Sequence, residues 1–129
     1  MTNNKITYKG IVEGEVNRML AKKVMGWQYH QSYVNDAGVP LGNVYTDEYG
    51  NPVMDASNWQ PTQNISQALM CAWELDVDEI RIQTLKDDST RVRLYFYGEE
   101  EFTQGIAKTT ARAICSALLE AIHAPCNGQ

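Results

Sequence analysis

The sequence predicts an α+β domain in which three helices pack on a mainly antiparallel sheet. Three observations carry that expectation. Apolar residues recur at helical spacing in three separated segments, and runs of alternating polar and apolar residues lie between them. The 129 residues, 43% apolar and 21% charged, suit one folded domain that buries a core without disulfide or metal. The whole chain, 1–129, is read as a single domain, with 35–58 as an insertion made of a loop and a hairpin.

The first helix is expected from Ile11 to Val24. Val12, Val16, Met19, Leu20 and Val24 keep its apolar spacing, while Glu13 and Glu15 precede Lys22 and Lys23 in the order the helix dipole favours. Gly26 supplies the stop, and Gly14 weakens the helix by about 1 kcal/mol. "WQYHQSYV", 27–34, then switches to period two and reads as a strand, with Trp27, Tyr29, Gln31 and Tyr33 on one face. "NDAGVPLG" is turn-rich. "NVYTDEYGNPVMD", 43–55, reads as a hairpin around Gly50-Asn51, after which Pro52 forbids a central strand.

Helical period returns in "WQPTQNISQALMCAWEL" with Ile65, Ala68, Leu69, Ala72 and Trp73 as the stripe expected to face the core. Thr62 or Asn64 serves as N-cap, and Pro61 blocks extension backwards. "EIRIQTL", 79–85, and "RVRLYFYG", 91–98, form a second hairpin across "KDDST". The last helix carries Ile114, Ala117, Leu118, Ala121 and Ile122, with Thr109 or Thr110 as its cap and Pro125 beyond its end.

A formal net charge of −5 argues against binding duplex nucleic acid, which needs a basic footprint. Cys71, Cys115 and Cys126 form no CxxC pair, and the first two fall inside helical patterns. They read as reduced thiols in a cytosolic compartment. No stretch approaches the roughly 20 apolar residues of a membrane span, and "MTNNKITYKG" lacks the apolar run of a signal peptide. There is no phosphate-cradling GxxxxGK[ST] or GxGxxG, and no metal site or cofactor is expected. His30 and His123 have no nucleophile beside them in sequence, and Glu99-Glu100-Glu101 reads as a solvated turn. The expectation is that the protein is not an enzyme.

Four segments in one order, "VMGW" (24–27), "WQPTQNISQALMCAWEL" (59–75), "LYFYGEEEF" (94–102) and "TARAICSALLEAI" (110–122), resemble the phage ABA-sandwich domain family of small phage and prophage proteins. The resemblance covers most of the chain outside 35–58. It implies a three-layer α-β-α sandwich, a phage or prophage origin and hence the host cytoplasm, and it implies no chemistry. The long 35–58 loop, and Asn64 where an acid is common, depart from the family pattern.

The strand "RVRLYFYG" raises the functional question. Val92, Leu94 and Phe96 make one face, and Arg91, Arg93, Tyr95 and Tyr97 make the other. If the hairpin register brings Arg81 and Gln83 beside them, three arginines, two tyrosines and an amide share one surface. Guanidinium groups bind phosphate through paired hydrogen bonds and stack on flat rings. Lys108, Thr109, Thr110 and Arg112 at the start of the last helix offer a second anion-attracting group. Trp27 and Trp59 are candidates for a pocket wall.

The arrangement suits a small phosphorylated, nucleotide-like ligand. By analogy of size and style the expected function is non-enzymatic sequestration of a cyclic nucleotide or cyclic ADP-ribose type immune signal, an anti-defence sponge. A homo-oligomer, with a dimer favoured, follows from the same half-covered sheet. The alternatives are a protein-interaction module that inhibits a host protein or assists virion assembly, and a hydrolase of nucleotide signals. The arginine and tyrosine face serves equally as a ligand site, a subunit interface or a solvated surface.

Overall fold

The computed structural model describes residues 12–123. It is an α+β sandwich of three helices and two three-stranded antiparallel sheets, each a simple meander. Expectations for Ile11, Pro125 and Cys126 lie outside the described residues.

Helix α1 (Glu13–Met19) runs directly into a wider π-helical turn, Leu20–Val24. Gly26, at φ +74°, ends it as expected, and the Trp27 amide reaches back to the Ala21 carbonyl at 2.9 Å. The first sheet follows: β1 (Gln28–Val34), β2 (Pro40–Thr46) and β3 (Pro52–Asp55). Each of its turns is built around one side chain. Asn35 Oδ1 accepts from the Ala37 and Val39 amides, and Asp47 Oδ1 accepts from those of Tyr49 and Asn51, all at 2.9 Å. Pro52 opens the edge strand β3, where its missing N–H is harmless.

Helix α2 (Ile65–Glu74) starts at Asn64, whose side chain accepts from the Gln67 amide at 3.1 Å. Asn64 rather than Thr62 is therefore the cap; Thr62 is buried and donates to Asn17 Oδ1 from its amide and its hydroxyl. The second sheet comprises β4 (Val77–Thr84), β5 (Thr90–Phe96) and β6 (Phe102–Ala107). Strand β6 has no counterpart in the sequence reading. Its centre is Gly105, a weak strand former, and the packing explains the glycine. A Cβ there would strike the Ala113 carbonyl and come within 2.6 Å of the Ala117 nitrogen, because helix α3 (Thr110–His123) lies directly on β6.

The core joins α1 and its π turn (Val16, Leu20, Ala21, Val24), α2 (Ala68, Cys71, Ala72), the inner face of β5 (Val92, Leu94) and α3 (Ala113 to Leu119, apart from the polar Ser116). Trp73 does not belong to it. It is 57% exposed, against the expectation that it faces inward. The buried stripe of α2 consists of small residues, which let α2 and α3 approach closely, so the bulky indole is left at the rim. Glu13 and Arg112 tie α1 to α3, with Nε to Oε2 at 3.2 Å and both side chains largely covered. Among the described residues no helix is long and apolar enough to cross a membrane.

Candidate functional site

The β4–β5 register decides whether the arginines meet. Arg81 stands opposite Arg93 and Gln83 opposite Arg91, while on the other side of β5 Arg91 faces Ile106, Arg93 faces Gln104 and Tyr95 faces Phe102. Cross-strand partners point to the same side of a sheet. The inner face carries Val92 and Leu94, both fully buried beneath α3, so the outer face carries Arg81, Gln83, Arg91, Arg93, Tyr95, Phe102, Gln104 and Ile106. These outer side chains are exposed or half-buried.

Aromatic rings lie beneath two of the guanidinium groups. The Arg81 group lies 4.8 Å above the Tyr95 ring and the Arg93 group 4.7 Å above Phe102, with the two rings 5.2 Å apart. Glu79 accepts from Arg81 Nε at 2.9 Å, and this hydrogen bond raises the guanidinium pKa further. Arg93 Nε donates instead to the neutral Gln104 Oε1 at 2.9 Å. Arg91 Nε is buried without a hydrogen-bond partner. Among the described residues one carboxylate thus pairs with one of the three arginines. A hollow of about 410 Å³ opens between Arg81, Ile82, Gln83, Arg91 and Arg93.

The other residues expected at the site are placed elsewhere. Tyr97 is exposed and borders a separate groove with Asp76, Glu99, Glu101 and Glu120. Thr109 caps α3, its Oγ1 accepting from the Arg112 amide at 3.2 Å, and Arg112 is engaged by Glu13. Lys108 acts on Asp87, whose carboxyl is held below its ordinary pKa chiefly by hydrogen bonds from Ser89 and in part by this lysine. Neither these residues nor Thr110 line the arginine hollow. The expected merger of sheet face and helix start into one receptor does not occur; α3 packs against the inner side of the sheet that carries the arginines outside.

Trp59 is buried, with Nε1 donating to the Asn17 carbonyl at 2.8 Å, and Trp27 packs edge-on against it at 4.8 Å. The pair braces α1 against the first sheet. Trp59 does form part of a wall, but of a different cleft of about 720 Å³ between α1 and β2. His30 is used structurally, 2.9 Å from Thr46 Oγ1.

Sequence reasoning missed Glu79, Phe102 and Gln104. Phe102, Gln104 and Ile106 alternate in "FTQGIA", which is the signal of a strand face, but Gly105 interrupts it. Among the described residues no group of three His, Cys, Asp or Glu side chains is placed to hold a metal ion.

Comparison with known proteins gives the fold a context. A crystal structure of a phage protein from Bacillus cereus ATCC 14579 is similar, with a TM-score of 0.53 and 21% identity over 87% of this chain and 94% of that one. No curated protein matches the chain. The family model for the Phage ABA sandwich domain matches residues 18–119, which run from the end of α1 to near the end of α3. The chain belongs to the Phage ABA sandwich domain family.

Proposed function

We propose that this protein binds a small phosphorylated, nucleotide-like ligand on the outer face of β4–β5–β6 and holds it without converting it. One observation carries the reading: Arg81, Arg91 and Arg93 border a single hollow, and among the described residues only Arg81 has a carboxylate partner. Adjacent guanidinium groups repel one another, and an anion seated between them removes that cost. The guanidinium groups of Arg81 and Arg93 each sit over an aromatic ring, and guanidinium groups of this kind also stack on flat bases. A cavity of several hundred Å³ is of the size that small ligands occupy. Sequestering a cyclic nucleotide or cyclic ADP-ribose type signal in the host cytoplasm, as an anti-defence sponge, is the form of this function that fits a small phage protein.

The test is retention. The protein is incubated with candidate cyclic nucleotides, separated, heat-denatured and the supernatant analysed. Depletion followed by release of intact ligand is expected. Release of an altered ligand would turn the reading into the hydrolase, and no depletion would remove the site. Arg93→Ala should abolish retention while lowering stability by only about 1 kcal/mol, the order expected for its contacts with Phe102 and Gln104 on the uncovered face.

A second reading rests on Ile106, which stands opposite Arg91 on the outer face and is 51% exposed. Arginine and apolar side chains together suit a protein surface, whether a host target, a virion component or a second copy of this chain. A dimer through this face would gather the arginines twice at one seam. Sedimentation of the wild type beside Ile106→Glu distinguishes it: a dimer lost in the variant supports the seam, and a monomer in both removes it.

A further inference from the structure

The cleft between α1 and the first sheet is independent of the arginine hollow and has its own convergence of unused groups. Arg18 lies with its guanidinium 4.7 Å over the Tyr29 ring, and Tyr29 in turn packs 5.5 Å from Tyr45. Among the described residues Arg18 makes no salt bridge; of the two carboxylates that also line the cleft, Asp55 is engaged by Ser57 and Glu15 does not pair with it. Tyr45 is only 4% exposed, yet its hydroxyl meets no hydrogen-bond partner among the described residues. It is also absent from the wholly covered, unpartnered polar atoms, which are Arg91 Nε and Thr103 Oγ1, so the hydroxyl keeps an opening into the cleft it lines. A hydroxyl that opens into the cleft without a protein partner is available to a ligand seated there.

Burial holds the Tyr45 phenol above its ordinary pKa, against the opposing pull of Arg18, so at neutral pH it is a donor. Arg18 can only donate. Asn43, on the same wall, spends its Oδ1 on the Ser32 amide at 3.0 Å and has its amino group left. Val12 and Leu41 supply apolar surface alongside.

We propose that this cleft binds a small organic acid, with the acid group held by the Arg18 guanidinium and the Tyr45 hydroxyl and an apolar body against Val12 and Leu41. A carboxylate and a phosphate monoester share that chemistry. The site goes beyond the sheet-face reading and does not depend on it.

The experiment titrates the full chain with sodium benzoate, phenyl phosphate and neutral benzyl alcohol at millimolar concentration and follows the backbone amides of Gly42 and Asn43 and the Trp59 indole by NMR. Saturable shifts with at least one acid and none with benzyl alcohol are expected, and the tighter acid identifies the head group. Arg18→Gln should weaken that acid about tenfold or more, and Tyr45→Phe about threefold to tenfold, with both variants giving folded spectra. Arg93→Gln should leave the titration unchanged, which separates this cleft from the arginine hollow. The proposal is overturned if neither acid shifts these signals, if benzyl alcohol shifts them equally, if Arg18→Gln binds as well as the wild type, or if Arg93→Gln abolishes the response.

Discussion

Strands β4–β5–β6 pair residue against residue along nearly their whole length, with one irregularity beside Val77, whereas β1–β2–β3 slips register around Tyr33 and again at Thr46. Both sheets are three-stranded antiparallel meanders, so topology does not account for the contrast. Covering does. Helix α3 lies along β5 and β6, and a one-residue slip there would exchange Val92 and Leu94 for arginines under the helix. The first sheet buries only Val44, Tyr45 and Thr46. Strand β1 absorbs an extra residue at Ser32, whose φ of +53° is rare outside glycine. Strict alternation is thus enforced by a neighbour and not by the strands themselves.

The contrast can be broken most forcefully at Gly105. Replacing it with valine drives a side chain into the α3 backbone, which cannot yield as a flexible side chain would. A loss of about 3 kcal/mol or more, or failure to fold, is expected in urea denaturation. Leu118→Ala leaves a cavity on the same buried side and should lower stability by about 2–5 kcal/mol by the same measurement.

The thiols sharpen the comparison through pH. Burial, assisted by Glu74, pushes the Cys71 thiol from 9.0 up to about 12, and burial raises Cys115 as well. The native state then keeps protons that the unfolded chain loses above its ordinary thiol pKa. Their contribution is complete below that value and declines as pH climbs towards about 12, by up to about 1.4 kcal/mol per pH unit for each thiol. Denaturation midpoints compared on either side of the ordinary thiol pKa should show a decline that Cys71→Ala lessens. The smallest effect belongs to the first sheet. Ser32→Gly removes a side chain from a left-handed position and should be neutral or stabilising by up to about 1 kcal/mol, seen as an unchanged or raised midpoint.

The same contrast governs what the sequence disclosed. The outer face of β5 was legible because Arg91, Arg93 and Tyr95 alternate with a core that α3 holds in place, and the hairpin loop fixed their partners Arg81 and Gln83. Strand β6 was not legible, since its glycine serves a helix that no local pattern reveals. Trp73 misled for a related reason: size suggested burial, while close helix packing required Ala68, Cys71 and Ala72 in its stead. Arg112 resembled a ligand-binding cation until Glu13, far away in the chain, was seen to claim it. The division of the strands into two sheets depends on pairings between neighbours that element order alone does not specify.

The wide turn at Leu20–Val24, where the Met25 amide reaches back to Leu20 over five residues at 3.1 Å, has the geometry of a helix carrying one surplus residue. Were every position there wound at the ordinary α pitch instead, everything upstream would swing by nearly one residue's rotation, about 100°. Val16 would turn away from the interior, Glu13 from Arg112 and Asn17 from the indole it anchors. The wide turn therefore absorbs the spare residue and keeps the segments on either side of it in phase.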